Sequence, residues 1–419
     1  MEPPRDGNTP GEPVPRAARL GRTKHVNTAL IRKINVARVF HAIREHPGLS
    51  QGKLAAVTQV DRATVSNVVQ QLEADGLVYR SKGMNSGRIG RPEDLLHIRP
   101  GAGLFLGLAV EADAIRLIAA GLDGVPRARL TVSSSTDIDH AVSQMRQGVR
   151  SILKECGLAP GPVRGVGLGL PALIDHQGHL IFAPNLKWTN LALLPELQGL
   201  VPTPVHVEND ANAAALAEQR FGVCRGISNF LMIHGHSGIG GGLYLEDDLY
   251  RGQGGFAGEI GHIKMVPNGR PCSCGGKGCL EAYASERAVS ERLREQGREV
   301  KGVGDLVDAA LHGDKATLKA LREAGRHLGL ALANVVNTVD VRHIVLGGDL
   351  AALADYLLPS LQKTFFDNVL QAIGADVEVL VSALPKDAVA LGGVALALEG
   401  FLPLPTDSRL AQLSLFDGQ

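Results

Sequence analysis

The chain has 419 residues, 44% of them hydrophobic, and balances 43 Lys/Arg against 43 Asp/Glu, which marks it as globular and too long for one ordinary core. Five cysteines are too few for a disulfide framework, no apolar run reaches the length of a membrane span, and the N-terminus lacks the hydrophobic stretch of a signal peptide. These features exclude membrane and secreted classes and predict a soluble, cytoplasmic protein with no membrane partner. The zero net charge hides an asymmetry: Arg16 to Arg91 holds fourteen Lys/Arg and four acids, whereas from Pro92 onward twenty-eight basic residues face thirty-six acidic ones. A basic head on an acidic body points to nucleic acid at one end only.

Residues 1–25, rich in Pro, Arg and Gly, read as a disordered tail. Residues 26–92 read as a DNA-binding head. Val36, Val39, Phe40 and Ile43 recur at helical spacing and predict an amphipathic helix over Thr28–Glu45, ended by His46-Pro47-Gly48. Ser50 is placed to cap a short helix, Gln51–Val57, with Leu54, Ala55 and Val57 on its core side. Asp61 is placed to cap a third, in which Val65, Val68, Val69 and Leu72 repeat the same period until Asp75-Gly76. Two short helices across a tight turn predict a helix-turn-helix, whose second helix enters the major groove. Its outward residues Arg62, Thr64, Ser66, Asn67 and Gln70 are of hydrogen-bonding types suited to base edges. A strand beginning at Leu77 leads into Arg80–Pro92, basic and glycine-punctuated, which reads as a wing carrying Lys82, Arg88 and Arg91 to phosphate or the minor groove. The alternative is a small helical domain used for dimerisation or scaffolding.

From Gly101 the texture changes to short apolar runs alternating with helices. Strands are expected at Phe105–Val110, Arg164–Leu170, Val205–Val207, Phe230–Ile233 and His343–Leu346, and helices at Ala211–Arg220, Ala284–Gln296, Lys315–Val336 and Leu353–Ile373. The alternation favours an α/β fold of two lobes. Glu208-Asn209-Asp210 at a strand end is a candidate for sugar hydroxyls or proton transfer, with a helix N-cap as the bland reading; the loop bearing Asn185 and the single tryptophan Trp188 is a second candidate, with a surface turn as the bland reading. Gly238–Gly242 and Leu346-Gly347-Gly348 suit either a phosphate approach or tight turns.

The densest chemistry lies between Gly258 and Glu281. His262, Cys272, Cys274 and Cys279 offer four ligands within eighteen residues, a set suited to Zn²⁺. Four protein ligands leave no open position, so the ion is expected to be structural, with Glu259 and Glu281 bracketing the loop. Further on, Lys315–Val336 carries Leu321, Leu328, Leu332 and Val335 on one side, as a core helix does. Residues 404–419 read as a C-terminal tail in which Gln412–Phe416 is similar to a pentapeptide that binds the bacterial sliding clamp, or is a terminal anchor.

Together these motifs resemble the ROK family of repressors, open reading frames and kinases, from about Asn27 to Leu402. The most specific match is Gly-Glu-x-Gly-His followed by Cys-x-Cys-Gly-x-x-Gly-Cys-Leu-Glu, complete in this chain. The resemblance implies an actin-like two-lobed sugar-kinase fold over residues 100–403, with a hinge near 205–225 and a return to the first lobe after about 388, behind an N-terminal winged helix-turn-helix domain. It implies that Asn185, Asn209, Asp210, Glu259, His262 and Glu281 face a sugar, and that His262 and the three cysteines hold zinc. Kinase members carry Asp-x-Gly-Gly-Thr on the first strand hairpin; Ala109–Asp113 here lacks every one of those residues and adds Glu111 and Asp113. The second phosphate loop is His234–Gly238, and the Gly-x-Pro-Gly turn ends in Ala172. The expectation is a non-enzymatic regulator of the branch that includes the N-acetylglucosamine and xylose repressors, a homodimer or homotetramer that binds operator DNA and answers to a sugar or sugar phosphate. The alternative is an active sugar kinase with Asp210 as base and an added DNA-binding head.

Overall fold

The computed structural model describes residues 28–83, 93–157, 163–197, 199–236, 238–384 and 386–404. The expected N-terminal tail, Arg88 and Arg91 of the wing, and Gln412–Phe416 lie outside these.

Three helices open the chain: α1 (Thr28–Glu45), α2 (Gln51–Thr58) and α3 (Arg62–Ala74). The Asp61 carboxylate accepts from the Thr64 N–H at 2.9 Å, and Val65, Val68, Val69 and Leu72 are buried, as their spacing predicts. Ser50 stands at the N-cap of α2 but makes no side-chain cap bond, and Val57 is exposed rather than core, because only Leu54 of α2 turns fully inward. Strands β1 (Val78–Lys82) and β2 (Asp94–Ile98) then pair antiparallel from Val78↔Ile98 to Lys82↔Asp94, the two arms of a wing.

The body repeats one sheet topology twice. In the first lobe β3 (Leu104–Val110), β4 (Ala114–Gly121) and β5 (Pro126–Ser133) form an antiparallel meander, α4 (Ile138–Glu155) crosses over, and β6 (Val163–Leu170) pairs parallel to β3. A small sheet of β7 (Leu173–Ile174), β8 (Leu180–Ala183) and β9 (Trp188–Leu191) and a short helix α5 (Leu193–Leu197) follow. Next, β10 (Val205–Asn209) joins β6 in parallel and runs directly into α6 (Asp210–Phe221). The second lobe has β11 (Phe230–Gly235), β12 (Ile239–Leu245) and β13 (Asp248–Leu249) as its meander. Helices α7 (Glu281–Ala284), α8 (Glu286–Arg294), α9 (Val303–Leu311) and α10 (Lys315–Val339) lead to β14 (His343–Gly348). After α11 (Asp349–Ala352), α12 (Ala354–Asn368) and α13 (Gln371–Gly374), β15 (Glu378–Val381) closes the sheet, and α14 (Ala388–Phe401) returns to the first lobe. The strand orders β5-β4-β3-β6-β10 and β13-β12-β11-β14-β15 are therefore equivalent.

Some expectations are corrected. The helix expected over Ala284–Gln296 is two, separated at Ser285, whose extended backbone and side chain cap α8. The one expected over Leu353–Ile373 breaks at Val369-Leu370, where the Leu370 N–H is taken by the Asn337 side chain. Gly238–Gly242 is not a turn: four of its five residues begin strand β12. A Cβ on Gly240 would sit 2.8 Å from Ala211 Cβ, and one on Gly242 2.6 Å from the Ala211 carbonyl oxygen, so the glycines let α6 lie flat against the sheet. Helix α14 approaches β3 and β6 in the same way: a Cβ on Gly107 or Gly167 would overlap the backbone of Ala390 or Gly393.

The head is docked on the body. Phe40 of α1 packs edge-on to Phe401 at the end of α14 (centroids 6.1 Å apart), which in turn meets Phe105 of β3 at 5.7 Å. His41 Nε2 is hydrogen-bonded to the Leu402 carbonyl oxygen at 2.8 Å. Arg220, near the end of α6, reaches Glu45 of α1 at 3.5 Å and Glu399 of α14 at 3.2 Å, so its buried charge is answered from both helices.

Candidate functional site

A cavity of about 340 Å³ opens between the two lobes, and every residue that the sequence pointed to as sugar-facing lines it: Asn185, Asn209, Asp210, Glu259, His262 and Glu281. Its position follows from the doubled topology, because β3, β6, β10 and β11 all deliver their carboxyl ends to it.

Asn209 and Asp210 sit where β10 becomes α6. Asn209 is the N-cap: its side-chain oxygen accepts from the N–H groups of Ala211 and Asn212 at 2.9 and 3.2 Å, and its amide donates to the Ala172 carbonyl at 3.1 Å. That bonding braces the cavity wall. Asp210 is the first helical residue, with one oxygen accepting from the Ala211 N–H at 2.8 Å. Behind them Glu208 is buried, held by Arg251 at 2.7 Å and by the Asn212 amide at 3.0 Å. Trp188 is buried at the start of β9 and donates to the Thr136 carbonyl at 2.9 Å, so it fixes the loop bearing Asn185 from behind.

On the opposite wall Glu259 begins a single 3-10 turn, Ile260–His262. Burial first, then the nearby Asp210 and Glu281 carboxylates, push its carboxyl up to about 7. Glu281 is buried at the start of α7, accepting from Ser273 Oγ at 2.6 Å and from Arg287 at 2.9 Å.

Between these two glutamates the four expected metal ligands converge, all donor atoms lying within 4.8 Å of one another. Two sulfurs each about 2.3 Å from a tetrahedral centre lie about 3.8 Å apart, and a sulfur and a nitrogen about 3.6 Å apart. Cys274 and Cys279 Sγ are separated by 3.8 Å, and Cys272 Sγ and His262 Nδ1 by 3.6 Å, so the group can hold a metal ion. The turn that makes this possible needs Gly278 at φ +74°, where a Cβ would also overlap the Val266 carbonyl. His262 Nε2, the other ring nitrogen, faces Glu259 at 3.7 Å. Lys264 Nζ lies 2.9 Å from Cys279 Sγ, a cation set against a sulfur-rich cluster.

The remaining side of the cavity carries a cluster that sequence reasoning did not single out. His236, just beyond β11, stands between Asp349 (3.2 Å) and Glu111 (3.5 Å), and Glu111 is also paired with Arg116. The Asp349 hydrogen bond first, with Glu111 assisting, pushes the His236 imidazole up to about 9, so it is a cation at neutral pH. The triad ties the first lobe, through Glu111, to the second. Ser273 and Arg287 were missed as well; neither has a signal at short range, since their role is to hold Glu281.

Of the expected DNA contacts, Arg62, Asn67 and Gln70 are exposed along one side of α3, and Thr64 and Ser66 are half-buried beside them. Lys82 is exposed at the end of β1.

The profile of the ROK family matches residues 105–400, and that of the MarR family matches residues 33–89. The xylose repressor of Bacillus spizizenii is 32% identical over 378 residues, covering 89% of this chain and 97% of the relative. A glucokinase of Halalkalibacterium halodurans is 34% identical over 245 residues, covering 55% of this chain and 74% of that enzyme. Among solved structures, a ROK family transcriptional regulator described as a homolog of the E. coli MLC protein superposes with a TM-score of 0.77 at 26% identity, covering 89% of this chain and 97% of that one. A Streptomyces griseus ROK glucokinase in complex with glucose and AMPPNP gives 0.64 at 28% identity, covering 71% of this chain and 100% of the enzyme.

Proposed function

The chain belongs to the ROK family, and we propose that it is a sugar-responsive transcriptional repressor of carbohydrate genes. Residues 26–92 form its DNA-binding head and residues 100–403 its sensing body. One observation carries the reading: the two helices that receive the head also reach the effector cavity. Helix α6 starts at the cavity with Asp210 and ends near Arg220; α14 passes the cavity at Val389 and ends at Phe401. A sugar that favours one arrangement of the lobes thereby favours one setting of the head, which is the differential contact that coupling requires.

In this reading Asn185, Asn209, Asp210, Glu259, His262 and Glu281 bind sugar hydroxyls. His262, Cys272, Cys274 and Cys279 hold zinc, which crosslinks the loop and presents Glu259 and Glu281 inward. Arg62, Thr64, Ser66, Asn67 and Gln70 read base edges, while Lys82, Arg88 and Arg91 contact the backbone or minor groove. A homodimer or homotetramer supplies the two half-site readers, in the cytoplasm where the DNA is.

The chain is read as a sensor and not a kinase because the end of the cavity beside His236 carries Glu111 where kinases carry a glycine-rich phosphate grip. Glu111 lines that end in place of the glycines and threonine with which kinases grip phosphate, and it is tied to His236 and Arg116, so neither its carboxylate nor those cations is left to hold a triphosphate. Gel shift with DNA from upstream of the chain's own gene tests the function, with xylose first among the sugars in view of the similar repressors. Specific binding that the sugar alters, and that Arg62→Ala weakens, is the expected result. Sugar-dependent ATP turnover in a coupled assay supports the alternative instead, an active sugar kinase with an added DNA-binding head.

A further inference from the structure

The walls of the effector cavity carry four carboxylates, Glu111, Asp210, Glu259 and Glu281, and none of its described lining residues is Lys or Arg. The guanidinium groups that approach these acids are already engaged: Arg116 pairs with Glu111, and Arg287 with Glu281 at 2.9 Å. The His236 cation is likewise held between Asp349 and Glu111. A helix N-terminus could receive an anion, but at α6 the Ala211 and Asn212 N–H groups already donate to the side chains of Asn209 and Asp210. The charge of the lining is therefore set by carboxylates, and of the two long helices that begin at the cavity only α14, near Val389, starts without a side-chain cap. An ionised carboxylate only accepts, and sugar hydroxyls are the donors it lacks; Glu259, pushed up to about 7, is the one member that can also donate. A phosphate monoester brings about −1.5 to −2 charges at pH 7 and needs cations or free N–H groups.

We propose that the effector is an uncharged sugar and that the cavity rejects the phosphorylated form of the same sugar. This rests on the sugar-sensing reading above and narrows it. The repressor would then report the pool of free sugar, the substrate of a phosphorylating step rather than its product.

Calorimetric titration of the full-length protein with matched pairs tests this: D-xylose and its 5-phosphate, D-glucose and its 6-phosphate, N-acetyl-D-glucosamine and its 6-phosphate. At least one neutral member is expected to bind, with its phosphate weaker by a factor of ~100 or more, about 2.8 kcal/mol. A phosphorylated member binding as tightly as its neutral partner, or alone, overturns the proposal and leaves sugar sensing intact. Binding by no member of any pair, with DNA binding retained, overturns the sugar-sensing reading itself.

Discussion

Protonating one buried histidine should loosen the joint between head and body. His41 is 3% exposed, and its Nε2 lies 2.8 Å from the Leu402 carbonyl oxygen. A carbonyl only accepts, so Nε2 carries the proton and the buried Nδ1, which has no hydrogen-bond partner, is bare. Burial above all, then the Arg44 guanidinium on the same helix, drives the imidazole from 6.5 down to about 3; Arg220 adds to this, and Glu399 opposes it. A histidine kept neutral in the docked state and free to charge when released makes docking weaken as pH falls below 6.5, down to about 3. Between pH 7.5 and 5.0 this amounts to about 2 kcal/mol, or ~30-fold in the opening equilibrium. Hydrogen exchange of the α1 amides reads that equilibrium, with His41→Gln as the control, since its amide can donate to Leu402 without titrating. Wild-type protection should fall ~30-fold more than that of the variant over the interval. Equal loss in both would refute the assignment of the joint to a neutral His41.

Other outcomes can be checked separately. Cys279→Ser should lower bound metal at least as far as the ~10–100-fold loss of affinity typical of a lost outer partner, with a lower melting temperature, measured by elemental analysis and thermal shift. Gly167→Ala forces a methyl into the backbone of Gly393 and should destabilise by about 3 kcal/mol in urea titration, whereas Gly297→Ala, with no atom within 4 Å of the added Cβ but φ at +76°, should cost only about 1 kcal/mol. The His236 cation links the lobes, and its pKa is raised. Its contribution is complete below 6.5 and lost as pH rises through about 9; Asp349→Asn should move that loss to lower pH, followed by NMR of the imidazole. Arg62→Ala should weaken specific DNA binding by about 1–3 kcal/mol while leaving sugar affinity unchanged.

What the sequence revealed depended on how local the signal was. The head was legible because Val65, Val68, Val69 and Leu72 repeat at helical spacing and Asp61 caps them, all within one short stretch. The metal cluster was legible because its ligands lie within eighteen residues. By contrast α14 carries apolar or small residues on every side and is buried over almost its whole length, so it has no period to detect. Gly240 and Gly242 looked like turn residues because nothing nearby in sequence reveals that Ala211 lies against them. The Glu111–His236–Asp349 triad joins positions 113 to 238 residues apart; Glu111 and His236 were visible only as departures from a phosphate-binding pattern, and Asp349 not at all. The head–body joint draws on Phe40, His41, Arg220, Glu399 and Phe401, which no spacing rule connects.

The composition of α6 and α14 bears on what kind of machine this is. Where they touch each other and the sheets, their contacts are made largely by Ala and Gly, including Ala211, Ala213, Gly392 and Gly393, against Gly107, Gly167, Gly240 and Gly242. Alanine and glycine have no side-chain torsions, so a shift at such a contact cannot be absorbed by a change of rotamer, as it would be among leucines or methionines. The backbone itself must move. These helices therefore behave as rods without slack, and a larger residue at their contact would replace a stiff linkage with a compliant one even where stability survived.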